Sequence, residues 1–299
     1  MNEITSIDVS EIGTSEIYQM LTMAIAPRPI AFASTIDKEG TVNLSPFSFF
    51  NVFSANPPIL IFSPVRRVRD NTIKHTLENI REVKEVVINT VNYPMVEQMS
   101  LASTEYDKGV NEFSKSGLTP VVSIKVRPPR VKESPVSFEC VVDNIVELGN
   151  EGGAGNLIIS RVVFIHIDNK YLDGNNGLET KKLDHVARMG ANWYTRVTEQ
   201  SLFEIPKPIR TKGIGVDQLP KHIFKTDILS GNDIGRLGNA EKKPSEEDLF
   251  DFKKKPSIAQ ILKIRAKDEK IAQLHKTAKG YLQEGNLDFA LKTLFSDGL

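Results

Sequence analysis

Between Ala26 and Asn51 an apolar segment, a tight turn and a second extended segment follow without a break, and this pattern constrains the fold more than any other part of the chain. Ile30 to Ile36 reads as a strand, Asp37-Lys38-Glu39-Gly40 as a turn in which Gly40 is free to take positive φ, and Thr41 to Leu44 as the returning strand. The residues that follow break strand grammar. Asn43, Ser45, Ser48 and Asn51 set four short hydrogen-bonding side chains among Phe47, Phe49, Phe50 and Phe53, so polar and aromatic groups share one small region. Such a region suits a polar ligand held against a sheet.

The pattern beyond it is strand-dominated. Strands are expected over 58–63, 85–91, 121–127, 136–148 and 157–167, with helices near 15–23, 71–80, 94–102 and 110–115. Short strands in the majority point to an antiparallel barrel rather than a doubly wound sheet. Gly149 to Asn156 joins two long strands and reads as a flexible hairpin loop. Its glycines match neither G-x-G-x-x-G nor the Lys-Ser/Thr ending of a phosphate loop, and Gly213-Ile-Gly215 lacks a third glycine, so no Rossmann unit is visible. After Pro208 the composition shifts. Residues 209–256, rich in Gly, Asp, Lys and Asn, read as an irregular linker or extension, and Ser257 as the cap of a helical appendage over 257–299 whose 278–295 stretch looks like part of a tetratricopeptide helix pair.

Charge narrows the function classes. With 38 basic and 38 acidic residues, nothing argues for nucleic acid or an anionic membrane surface as partner. No basic segment leads into an apolar one at the start and no run approaches a membrane span, so the expected location is the cytoplasm. The single cysteine, Cys140, alternates with polar neighbours and should be a buried, inert thiol. The five histidines never pair at metal-binding spacing, no metal site is expected, and no G-x-S-x-G nucleophile elbow occurs. His166 lies on a strand and reads as a satisfied core histidine or one facing a cavity.

Pro27-Arg-Pro-Ile-Ala-Phe-Ala-Ser-Thr35 followed by Asn43-Leu-Ser-Pro-Phe-Ser-Phe-Phe-Asn51 closely resembles the flavin reductase-like FMN-binding split barrels. The likeness continues through Asn56 to Ser63, Lys74 to Ile80 and Glu85 to Asn89, and covers roughly residues 15 to 206. It implies a mainly β chain with few helices: an antiparallel Greek-key split β-barrel over 1–208 with a C-terminal helical extension. It also implies FMN as cofactor. For the flavin's polar groups it assigns Ser34, Thr35, Asn43, Ser45, Ser48 and Asn51, with Pro46, Phe47 and Phe49 shaping the ring site. Phosphate should lie near Arg66, Arg69, Asn71, Thr72, Lys74 and Thr76, where cations and hydroxyls precede a helix whose amino end favours anions. The family usually has Lys-Asp-Thr where this chain has Lys74-His75-Thr76, which leaves open a shift of the contact toward Arg69, Asn71 and Thr72. A hydroxyl-rich barrel rim and a solvated charge run are the plainer alternatives for these two segments. Around His185 to Arg196 the resemblance carries over Arg188 and, more weakly, Trp193 and Tyr194, with core or dimer packing the alternative.

The function implied is that of a flavoprotein oxidoreductase of flavin reductase type. Hydride would pass from transient NAD(P)H to FMN and electrons on to a flavin or a protein acceptor, in a homodimer with FMN near the interface. No protein acid or base is required, so no catalytic residue is named and the reactive chemistry belongs to the flavin. Two alternatives remain open: an FMN-binding electron carrier or flavin store that does not oxidise nicotinamide, and an interaction protein that uses its helical tail.

Overall fold

Helix α1 (Thr14–Ala24) leads into the strand–turn–strand segment, which folds as its pattern demands. Strands β1 (Ala31–Ile36) and β2 (Val42–Phe47) pair antiparallel, with Ala31 opposite Phe47 and Ile36 opposite Val42, and Gly40 turns the chain at φ +89°. The computed structural model describes residues 3–205 and 211–298. They fall into two units, one ending at Phe203 and one running from Glu204 to Leu299.

The first unit continues with β3 (Phe50–Ala55), β4 (Pro58–Phe62), α2 (His75–Glu82), β5 (Glu85–Asn89), α3 (Val96–Leu101) and α4 (Glu112–Ser116). The short β6 (Pro120–Val121) and β7 (Arg130–Val131) follow, then the long hairpin of β8 (Val136–Glu147) and β9 (Asn156–Ile167), then α5 (Thr180–Leu183), β10 (Val186–Arg188) and β11 (Tyr194–Arg196). Seven strands form one antiparallel sheet in the order β2-β1-β5-β8-β9-β4-β3. Its hydrogen-bonded ladder is not closed.

The connection between the two edge strands sets the shape of that sheet. β2 ends at Phe47 and β3 begins at Phe50, yet they stand at opposite ends of the strand order. A flat sheet would separate them by six spacings, about 29 Å, whereas Phe47 to Phe50 can reach only about 10 Å. The sheet must therefore roll until its edges meet, leaving a seam bridged by Ser48 and Phe49. Burial follows from the same curl. Strand β1 is buried on both faces: Ala31 and Ala33 pack with Phe62, Leu77, Ile80 and Ile88, while Ile30, Phe32 and Leu44 pack with Met95, Met99 and Phe113. Cys140 lies fully buried in the first cluster, and desolvation pushes its thiol pKa far up.

Four local expectations change. The segment expected to break strand grammar is largely strand, the end of β2 running to Phe47 and β3 starting at Phe50. The expected strand over 121–127 is confined to β6, because Glu139 pins the following loop by accepting hydrogen bonds from the amides of Ile124 (2.7 Å) and Lys125 (2.5 Å). His166 is satisfied by the same carboxylate, Nε2 to Oε1 2.6 Å. Burial raises the Glu139 pKa, but these partners outweigh it and hold the carboxyl below its ordinary range. The helix expected from 71 starts at His75, because Asn71 takes a left-handed conformation at φ 58°. The Gly149 to Asn156 loop is tied down: Arg66 and Ala154 exchange backbone hydrogen bonds with the loop and turn (Arg66 N to Ala154 O 2.9 Å, Gly153 N to Arg66 O 3.0 Å). A Cβ on Gly152 would meet the Val68 carbonyl oxygen at 2.9 Å, so that approach requires glycine.

The second unit is helical: α6 (Gly231–Gly238), α7 (Glu246–Lys253), α8 (Pro256–Leu262), α9 (Lys267–Gln283) and α10 (Leu287–Phe295). Leu219, Ile223, Leu229, Leu237, Ala278, Leu282 and Leu291 share its core. The linker expected over 209–256 is therefore replaced, across the described part, by helices that pack with the tail, and the 208/209 boundary itself falls outside the described residues. Helix α8 begins with Pro256 at its first position after Lys255, so Ser257 lies inside the helix and is not its cap. Ten α-helices among the described residues make the chain as a whole a mixed one, and mainly β describes the first unit only. No described helix is long and apolar enough to cross a membrane.

Candidate functional site

A cleft of about 250 Å³ opens where the sheet edges meet. The seam itself supplies Pro46, Phe47, Ser48 and Phe49; the segment after β4 supplies Ser63 and Val65; α3 and the turn after it supply Met99 and Ser103. Tyr18 of α1, Ile30, Lys74, Arg188 and Tyr194 complete the lining. Hydroxyls, one ammonium, one guanidinium and several aromatic or aliphatic surfaces thus share a single concavity, the mixture expected of a ligand site.

Two arginines hold its walls. Arg28 is buried and donates to the carbonyls of Thr22, Ile25 (2.8 Å) and Met189 (2.9 Å), which caps the C-terminus of α1 and ties it to the segment after β10. Its Nε also reaches Ser48 Oγ at 3.5 Å. Arg188 pairs with Arg28 through the backbone, N to O 2.9 Å in both directions, and its guanidinium lies 4.7 Å from the Tyr194 ring centroid.

Most of the residues expected at the site go to three places. Pro46, Phe47, Ser48, Phe49, Lys74 and Arg188 line the cleft. Ser34, Thr35, Asn43 and Thr76 are buried and lie outside its lining. Asn43 Nδ2 donates to Thr76 Oγ1 (2.8 Å) and Asn79 Nδ2 to Thr35 Oγ1 (3.2 Å), so these side chains fasten α2 to the β1–β2 hairpin, while Ser34 Oγ is buried with no partner. Ser45 is half-buried outside the lining, and Asn51 is exposed, its Oδ1 accepting from the Val52 amide at 2.8 Å.

The third place is the turn before α2. Arg66 is spent on Asn71, Nε to Oδ1 2.6 Å and Nη2 to the carbonyl 2.9 Å. Arg67 donates to Thr72 Oγ1 and the Ile73 carbonyl, both at 2.8 Å, and to Glu105 at 2.9 Å. Arg69 pairs with Asp70 (3.0 Å) and Glu105, and Lys74 Nζ lies 3.4 Å from Glu105. Hydrogen bonds from Arg67 and then Arg69 hold the Glu105 carboxyl at about 2, and the Thr72 hydroxyl and amide, with Arg69, hold Asp70 at about 2. Lys74 precedes α2 without capping it by a side chain, so the positive end of that helix opens beside the cationic turn. Tyr18, Ser63, Met99, Ser103 and Glu105 escaped the sequence reading because they come from helices and connections whose rotation only tertiary packing reveals.

Residues 23–182 match the flavin reductase like domain. A protein of Aquifex aeolicus is 37% identical over 188 residues, which cover 63% of this chain and 93% of that one. Among solved structures, nitrilotriacetate monooxygenase component B from Bacillus cereus is similar at 29% identity and TM-score 0.64, over 69% of this chain and 100% of that one. The flavoredoxin of Desulfovibrio vulgaris (Miyazaki F), at 20% identity and TM-score 0.52 over 62% of this chain and 92% of that one, shares the fold.

Proposed function

The chain belongs to the flavin reductase-like domain family, as its Ala26 to Asn51 motif implied, and we propose that it binds FMN in the seam cleft and oxidises NAD(P)H there. The carrying observation is the cleft itself, in which Lys74 and the open end of α2 offer charge for a phosphate, Ser48, Ser63 and Ser103 offer hydroxyls, and Phe47, Phe49, Met99 and Ile30 offer apolar surface. That donor set fits FMN. When bound, the flavin supplies a two-electron acceptor for nicotinamide hydride and a donor to a second flavin or a protein.

The protein's part is to hold and tune. Phe47 and Phe49 exclude water from one side of the cleft, Arg28 stands 3.5 Å from the Ser48 hydroxyl, and the Arg188–Tyr194 stack closes another wall. No side chain need exchange a proton for hydride to transfer, so these are binding residues. Exposed apolar side chains at Leu21, Met23, Ile25, Val52 and Phe53 support the homodimer reading by offering surface a second copy could cover.

The purified chain, titrated with FMN without oxygen and then given NADH or NADPH, should turn yellow and bleach. Lys74→Ala should weaken FMN by about 10- to 100-fold, the worth of one charge-assisted hydrogen bond. Yellow protein that does not bleach would identify an electron carrier instead, and failure to take up FMN would exclude both.

A further inference from the structure

Glu105 lies in the turn after α3, two residues beyond Ser103 of the cleft wall, and its carboxylate gathers Arg67, Arg69 and Lys74. Lys74 belongs to the cleft lining, so the carboxylate engages the same ammonium that the cleft offers a ligand. Three cations around one anion is the coordination a phosphate monoester would itself seek. Asp70, the acid of the Arg66 to Lys74 turn, is engaged by Thr72 and Arg69.

We propose that Glu105 is an internal competitor for the flavin phosphate, holding the cationic turn in its own carboxylate until FMN displaces it. The inference rests on the FMN reading above. Two of the three cations keep other anchors when Glu105 withdraws. Arg67 keeps Thr72 and the Ile73 carbonyl and Arg69 keeps Asp70, while Lys74, held in the turn by Glu105 alone among the described residues, becomes free to meet a ligand in the cleft it lines. Displacement is also easy. Side chains of Arg69 and Glu105 are 68% and 36% exposed, and ion pairs in such positions are individually weak. The carboxylate thereby discriminates: a ligand carrying a dianionic phosphate can take its place, whereas riboflavin, which has none, gains nothing from the turn.

Glu105→Gln keeps the shape and removes the charge, and Glu105→Ala removes the group. In the full chain both should bind FMN about fivefold more tightly than the wild type, the scale of an exposed ion-pair network, with riboflavin affinity unchanged. Added salt should shrink the FMN gain. Weaker FMN binding in both variants would overturn the proposal by showing that Glu105 organises the cations, and an unchanged FMN affinity would overturn it alone while the flavin reading stands. Failure of wild type and variants alike to bind FMN would remove the flavin reading and this inference with it.

Discussion

The sheet unit and the helical unit fix their shapes by different means. In the sheet unit, buried polar side chains reach across the chain: Asn89 donates to the Phe32 carbonyl (2.9 Å) and accepts from the Val131 amide (3.0 Å) and Ser137 hydroxyl (2.7 Å), and Glu112 accepts from the Leu44 amide at 2.9 Å. In the helical unit long-range polar bonds are fewer, Arg236 donating to the Leu282 carbonyl and Lys279 to the Ile228 carbonyl, both at 2.7 Å, and several polar side chains cap their own helices. Ser230 with Asp233 and Ser245 with Asp248 form capping boxes, and the buried polar contact of note is the stacked pair His222–His275, Nδ1 to Nε2 2.8 Å. Long-range polar bonds determine where backbone segments stop and turn, which a cleft at a sheet seam requires; local caps and an apolar core suffice to hold a helical bundle.

Phe62→Ala, which empties a fully buried site in the sheet, should cost about 3–5 kcal/mol and abolish FMN retention. Calorimetry should then show the sheet transition lowered and the helical one in place, whereas a joint shift would make the two units one cooperative block.

The next effect is one of pH. Burial, and then the neighbouring His222, lower the His275 pKa from 6.5 to about 4. Between those values the unfolded chain binds a proton that the folded helical unit refuses, so the unit is at full strength above pH 6.5 and should lose roughly 2–3 kcal/mol as pH falls toward 4. His275→Gln should flatten that part of the stability profile, and a wild-type profile already flat there would mean that His275 titrates normally.

A smaller effect is expected at Gly152. An added Cβ would press on the Val68 carbonyl, so Gly152→Ala should cost about 2 kcal/mol and loosen the Arg66–Asn71 turn, read as weaker FMN binding. Smallest is Ser245→Ala, about 1 kcal/mol from the helical unit alone, with FMN affinity unchanged.

What could be read from the residues follows the same division. The β1–β2 hairpin and the cleft residues Pro46 to Phe49 were legible because the apolar run, Gly40 and the sudden cluster of hydroxyls and phenylalanines are local signals. Thr35, Asn43 and Thr76 were not, since β1 is buried on both faces and period two cannot say which face meets a ligand and which meets α2. Arg66 and Asn71 carry the right chemistry for an anion but satisfy each other, a pairing visible only once the turn closes. In the helical unit the Ser-x-x-Asp signatures at 230 and 245 were present in the sequence. The weak periodicity of short helices hid them among glycines and lysines, because each helix buries only one or two residues of its own.

Whether the seam of the sheet unit is the flavin site is decided by an FMN titration of the full chain beside residues 1–205 alone. Equal affinity in the two is predicted, since every residue of the cleft lies in the sheet unit. No FMN uptake by either, or uptake by the full chain only, would contradict it.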